Sequence, residues 1–302
     1  MERRVLDIAT GRRYLSKKRG SLSVSCDTEG SGASGHLVPF DEIESIIVHT
    51  PQASYSNGAI VELARRGIPL VCCDAYHTPA AWVWPIQANY EQSRRMAAQA
   101  KMPDELRAAL WAVLIRAKLE AQAAVLHSEG HDAAALEDFA CRVTPDNCTS
   151  LEAHGARLYW TCLFGDDFRR RRDGLPPNGL LNYGYAVLRA TVARNVCASG
   201  LHPSLGLQHH NRFNAFCLAD DLMEPFRPAV DRSVLELRRE GHQAVDVHTK
   251  SALAAVLARG VTTSRGVTPL SRCVEWAAQS LTKAVLEGEP RIHLPDSRSI
   301  AG

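Results

Sequence analysis

The sequence lacks several features that would assign a class at once. None of its nine cysteines stands in a C-x-x-C pair, which leaves a zinc ribbon with little support. Their number is odd and most lie in apolar runs, so reduced, core-filling thiols are the simplest reading. No window of about 18 uninterrupted apolar residues occurs, so no membrane span is expected. The opening stretch MERRVLDIATGRRYLSKKRG has no apolar signal core, and a cytoplasmic location is the expectation. No repeat of fixed period is visible. Charge of one sign is scarce too. Against 35 Lys plus Arg stand 33 Asp plus Glu, a net charge of +2. Bulk charge therefore does not announce nucleic acid, and any DNA contact needs basic residues concentrated locally.

What is present divides the 302 residues in two. The first eighty or so read as strand-rich. Leu22, Val24 and Cys26 alternate with serines, as in a half-buried strand. EGSGASG (29–35) reads as a loop, and a turn signal over Pro39–Asp41 precedes the apolar run Ile43, Ile46, Ile47, Val48. Ser56 is a candidate cap for a short helix over 57–66 with Gly67 as its stop. Leu70–Cys73 reads as a brief buried strand. Past residue 85 the pattern is helical. One helix starts at Pro103-Asp104, with Leu106, Leu110, Val113, Leu114 and Ala117 at helical spacing. Others are expected from Thr149 through Trp160, from Leu180 to Ala198 with a stop at Gly200, from Ala219 onward, and over 244–259 and 270–287. The tail from Pro290 is expected to be loose. The fold class is thus α+β: a small β-rich domain over 1–84, then a larger all-α domain over 85–302.

Three segments carry chemistry. In Thr149–Trp160, Glu152 has two readings: the partner of Thr149 in a capping box, or a metal ligand beside the small residues 153, 155 and 156. Arg157 is there either for a phosphate or for a structural ion pair. The second segment, Asn182–Tyr185 and the helix after it, carries core positions and two tyrosines that need hydroxyl partners if buried. The third runs from a Gly/Pro/His loop containing His209 and His210 into Asp220, Asp221, Glu224, Pro225 and Pro228. On one continuous helix Asp221 and Glu224 would lie about 60° apart and Asp220 and Glu224 about 40°. Acids suit a helix N-terminus in any case, but two histidines with three acids exceed what capping needs. Pro225 fits a first turn, whereas Pro228 would sit deeper and bend the helix. Carboxylates plus one imidazole favour Mg²⁺ or Mn²⁺ over zinc or copper, and such ions suit phosphodiester chemistry.

Together these segments resemble the CRISPR-associated endonuclease family of the first Cas protein. Glu152 to Trp160 is similar to its E-x-x-x-A-R-x-Y-W segment. Leu181 to Leu188 matches L-N-Y-G-Y-x-x-L, Gly200 to His209 matches G-L-x-P-x-L-G-x-x-H, and Asp221 to Pro228 matches D-L-M-E-x-F-R-P. Pro69–Pro79 looks like the closing strand of the family's N-terminal part. The motifs look most like those of type II systems. The resemblance implies a β-rich domain followed by a helical catalytic domain. It implies Glu152, His209 and Glu224 as catalytic metal ligands, with Asp221 at a further acidic position; Asp220 is expected, from its place near the helix start, to be a helix acid without a ligand role. The spacing from His209 to Glu224 selects His209 over His210. The implied reaction joins the 3′-hydroxyl ends of short foreign DNA into the borders of a host repeat. The implied assembly is a homodimer, two of which flank a dimer of the small second Cas protein.

Basic candidates for DNA are Arg157, Arg189 and Arg227, with Arg194, Lys17–Arg19 and Arg169–Arg172 behind them. Two other readings compete. Gln208–Asn211 looks like part of a histidine-asparagine-histidine nuclease, but that site needs a strand pair and a following helix carrying His or Asn. The other is a catalytically silent DNA-binding scaffold, which has no need of the ligand set.

Overall fold

The computed structural model describes residues 4–26, 35–68, 70–74, 79–83, 92–171 and 173–300. The chain forms two compact units, Met1–Gln92 and Ser93–Gly302. The division expected at 84/85, the loop over 29–34 and parts of Pro69–Pro79 lie outside the described residues.

In the first unit, β1 (Arg4–Ile8), β5 (Ile43–Val48) and β7 (Leu70–Cys73) run parallel, and β8 (Pro79–Val83) closes the sheet antiparallel to β7. A second sheet has the order β4 (His36–Pro39), β3 (Ser21–Ser25), β2 (Arg13–Lys18), β6 (Ala53–Tyr55). The β2–β3 hairpin turns on Arg19 and Gly20, both at positive φ, which suits the right-handed twist of the strands. Of the apolar positions read from the sequence, Leu22, Ile43, Ile46 and Leu70 are buried in the core, and Phe40 from the expected turn joins them. Cys26 lies beyond the strand and is exposed. The short helix α1 (Asn57–Arg65) begins as expected, with the Ser56 hydroxyl accepting from Ala59 N–H at 3.2 Å.

The second unit is mostly helical: α2 (Gln92–Ala100), α3 (Asp104–Ser128), α4 (Ala134–Arg142), α5 (Cys148–Phe164), α6 (Asn178–Ala198), α7 (Cys217–Leu222), α8 (Arg227–Arg239), α9 (Val247–Ala255), α10 (Leu270–Glu287) and α11 (Ser297–Ile300). Helices α3 and α6 bury most of their faces. A helix buried on most of its faces lies within its unit rather than on its surface, and α3 packs on α4, α5, α8 and α11. Among the described residues no helix is long and apolar enough to cross a membrane.

Four expectations need correction. The helical unit includes a hairpin, β9 (Gly260–Thr263) with β10 (Gly266–Pro269). The tail is tied down: α11 packs on α3, and Ser297 Oγ donates to Glu120 Oε2 at 3.0 Å. Helix α5 starts at Cys148, with no side-chain cap from Asn147, so Glu152 lies past the first turn and Thr149 makes no capping box with it. The helix expected from Ala219 breaks. Helix α7 stops at Leu222, Glu224–Phe226 form a 3₁₀ turn, and α8 begins anew at Arg227. Pro228 therefore occupies the first turn of a fresh helix, where its missing N–H costs nothing.

Candidate functional site

Helix α3 contributes a residue the sequence reading passed over. Lys118 is buried, and its ammonium donates to Glu152 Oε1 at 2.7 Å. The same Nζ lies 2.7 Å from Glu224 Oε2. Glu152 and Glu224, far apart in sequence, are thus brought to one point. Glycine makes this possible. A Cβ on Gly155 would lie 2.4 Å from Leu119 Cδ2, so α5 crosses α3 closely one turn after Glu152.

Glu224 is buried, and burial opposes its charge. Arg227, 3.0 Å from its Oε1, and Lys118 outweigh that and hold the carboxyl below its usual range. Burial likewise opposes the charge on Lys118, and Glu224 and Glu152 reverse it. Glu224 Oε2 faces the Lys118 ammonium directly. A buried carboxylate oxygen is costly unless a cation meets it.

The helix break positions the other half. Asp221, fully buried on α7, accepts from Leu207 N–H at 2.6 Å and Gln208 N–H at 3.0 Å, which fastens the Gly/Pro/His loop. Gly206 allows that approach, since a Cβ there would lie 2.4 Å from His209 O and 2.8 Å from Asp221 Oδ2. His209 Nδ1 lies 2.5 Å from Asp221 Oδ1. A carboxylate only accepts, so Nδ1 carries the proton and Nε2 is left as the open donor atom. That hydrogen bond, against a smaller opposing effect of burial, raises the imidazole above its usual range. The His209 ring meets Trp111 of α3 edge-on at 6.0 Å.

The remaining predicted residues fall in different places. Asp220 accepts from Arg189 at 2.5 Å and from Asn214 Nδ2 at 2.7 Å, and Arg189 stacks over Phe216. Arg227 lies over the Tyr185 ring besides holding Glu224. Arg157 is exposed on α5 and, among the described residues, makes no structural ion pair, which was its other reading. Arg170 turns inward to Asn178 and Asn182 and over Tyr185, while Arg172 lies outside the described residues. His210 is exposed. Residues 201–216 contain no strand, which removes the strand pair a histidine-asparagine-histidine nuclease requires.

Glu152, His209 and Glu224 do not gather their donor atoms within 4.8 Å of one another. The Lys118 ammonium stands between the two carboxylates. Two carboxylates drawn to one positive charge, and an imidazole with Nε2 open, fit a hard divalent cation.

A family model described as CRISPR associated protein Cas1 matches residues 6–261. A CRISPR-associated endonuclease Cas1 from Neisseria meningitidis serogroup C (strain 8013) is 35% identical over 229 residues, covering 75% of this chain and 73% of the relative. Among solved structures, a casposase bound to integration product superposes with a TM-score of 0.79 at 18% identity, covering 97% of this chain and 92% of that one. A Cas6-RT-Cas1–Cas2 complex superposes with a TM-score of 0.77 at 17% identity, covering 97% of this chain and 36% of that one. The chain belongs to the Cas1 family of CRISPR-associated proteins.

Proposed function

We propose that this chain is a metal-dependent DNA endonuclease and integrase of CRISPR adaptation, which joins the 3′-hydroxyl ends of short foreign DNA to a repeat array by transesterification. The observation that carries the reading is the convergence of Glu152 and Glu224 on one buried ammonium. The name of the Neisseria relative and the casposase bound to integration product support the class of reaction.

Glu152, His209 Nε2 and Glu224 are the groups that would hold Mg²⁺ or Mn²⁺. Such an ion supplies a Lewis acid that steadies charge on a phosphate and lowers the pKa of an attacking hydroxyl. The chain's own residues prepare the place. Arg227 and Lys118 keep Glu224 ionised although it is buried. Asp221 fixes the tautomer and angle of His209, as outer-shell carboxylates do for metal-binding imidazoles. Arg157, exposed beyond Glu152, is available to a phosphate, whereas Arg189 and Arg227 already hold Asp220 and Glu224 and reach DNA only if those pairs rearrange.

The partners in this reading are protospacer and repeat DNA, a second copy of the chain, and a Cas2 dimer bridging two such dimers. The Cas1–Cas2 complex among the structural neighbours supports the last.

The test is an integration assay with a supercoiled target, a short duplex and each metal in turn. Glu152→Ala, His209→Ala and Glu224→Ala should abolish joining in proteins whose circular dichroism is unchanged. Asp221→Ala should weaken it roughly 10–100-fold, as loss of a supporting carboxylate does. Asp220→Ala should leave most of it, at some cost in stability because Arg189 loses its partner. Full joining by a folded Glu224→Ala protein would remove the assignment. A wild-type protein that binds DNA but joins nothing with either metal would favour a silent scaffold.

A further inference from the structure

Away from Glu152 and Glu224, a different set of donors stands together at the junction of α8 and α9. Glu240, His242 and His248 each bring one donor atom within 4.8 Å of the others, the one such group of three or more among the described residues. His248 Nε2 lies 3.9 Å from Glu240 Oε2, and the two imidazoles stack with centroids 4.6 Å apart. The side chains of Glu240 and His248 are 60% and 62% exposed, so an ion in solution reaches them without any opening of the fold.

The group is held on two well-formed helix ends. Helix α8 closes with His242 N–H donating to Leu237 O and Gly241 N–H to Arg238 O, with Gly241 at φ +90°. This paired closure fixes the directions in which Glu240 and His242 leave the helix. Helix α9 opens with a reciprocal cap, in which the Asp246 side chain accepts from Thr249 N–H and Thr249 Oγ1 accepts from Asp246 N–H. His248 is the second residue of that helix. Only residues 243–246 separate His242 from α9, so the donors are presented from two fixed backbones rather than from a wandering loop.

We propose that Glu240, His242 and His248 form a second cation site, separate from the one above and suited to a borderline divalent ion such as Zn²⁺. The donor chemistry separates the two. Two carboxylates and one imidazole favour a hard ion, whereas two imidazoles and one carboxylate, with water in a fourth position, form a zinc-type set. Zinc–nitrogen bonds of about 2.0–2.1 Å place tetrahedral donors roughly 3.3 Å apart. Small rotations of exposed side chains close the difference. A bound ion joins the end of α8 to the start of α9 and stabilises both. Mg²⁺, which keeps its waters and prefers oxygen, does not compete.

The experiment titrates the full chain with zinc alone, by calorimetry or against a chromogenic chelator. Wild type is compared with His242→Ala, His248→Ala, the double variant, and His209→Ala as a control. Each substitution removes a donor, so each should weaken one zinc-binding event at least about tenfold, the lower end of what even an outer-shell change does. His209→Ala should retain that event. Zinc should raise the Tm of wild type and not that of His248→Ala, and millimolar Mg²⁺ should not displace it. The replaced side chains lie on the surface, and circular dichroism checks that folding is kept. The proposal is overturned if wild type binds no zinc. It is equally overturned if the double variant keeps the same affinity and the same Tm rise.

Discussion

At the scale of single residues, Lys118 decides how the carboxylates behave. It sits in Trp111–Val125, a mostly buried stretch of α3, two turns from Trp111 and on the same face. A buried charge needs an opposite one, and here two glutamates answer one lysine. Lys118→Met keeps the apolar stem and removes the ammonium, leaving two carboxylates that repel. Breaking a buried ion pair this way costs roughly 3–5 kcal/mol. We therefore expect Lys118→Met to lower Tm sharply in EDTA. Mn²⁺ should restore more of the loss than it adds to wild type, because a divalent ion takes over the same two oxygens. Scanning calorimetry with and without Mn²⁺ checks this. A variant as indifferent to Mn²⁺ as wild type would show that Glu152 and Glu224 do not form one cation site. Glu152, His209 and Glu224 could be singled out because their motifs are local strings. Lys118 could not, because its role depends on acids from α5 and from the turn before α8, and spacing along α3 says nothing of either. The available signal was a lone lysine on an apolar face, which asks where its counter-charges are.

At the scale of elements, starts and stops were legible wherever one residue fixed them. Ser56 caps α1, Pro103 precedes α3, and Gly200 follows α6, each a local backbone requirement. The break at Met223 was not, because helical spacing alone allows one continuous helix from Ala219. Tertiary demands override that spacing. Asp221 turns to the His209 loop and Glu224 to Lys118, while Asp231 on α8 is drawn to α5 and α6. Asp231 is buried and accepts from Tyr185 OH at 2.6 Å and from Tyr159 OH at 3.1 Å. Burial pushes its carboxyl up to about 6, more than the tyrosine hydroxyls and Arg227 hold it down. The consequence for stability has a definite sign. Between the ordinary value near 3.8 and about 6 the folded chain keeps a proton that the unfolded chain releases. This contribution is therefore present at low pH and is lost as pH rises through about 6, on the order of 3 kcal/mol at 1.36 kcal/mol per unit. Asp231→Asn cannot titrate. Denaturant unfolding of both proteins from pH 4 to 7 should show wild type losing about that much relative to the variant. Parallel curves would mean that the carboxyl is not raised.

At the scale of the whole molecule, near-neutral charge leaves assembly to surfaces rather than to bulk attraction, and the first unit has surfaces that call for a partner. Among the described residues, one of its sheets has β1 and β8 as edges and the other has β4 and β6. Sheet edges left open tend to pair with another chain. Strand β4 exposes Leu37, which is 47% accessible, and α1 exposes Val61 at 39%. Isolated exposed apolar side chains are ordinary, but one on an edge strand strengthens the case for that edge. The homodimer that the family resemblance implies would be built largely through this unit. Equilibrium sedimentation at micromolar concentration should then return twice the 33.1 kDa chain mass. Leu37→Glu places a charge on the edge, one of the devices by which proteins block edge pairing, and should shift the population toward monomer with circular dichroism unchanged. Its side chain packs little in the monomer, so folding should survive the change. A wild-type protein that sediments as a monomer throughout the micromolar range would rule the dimer out. A dimer untouched by Leu37→Glu would move the interface to another edge of the same unit.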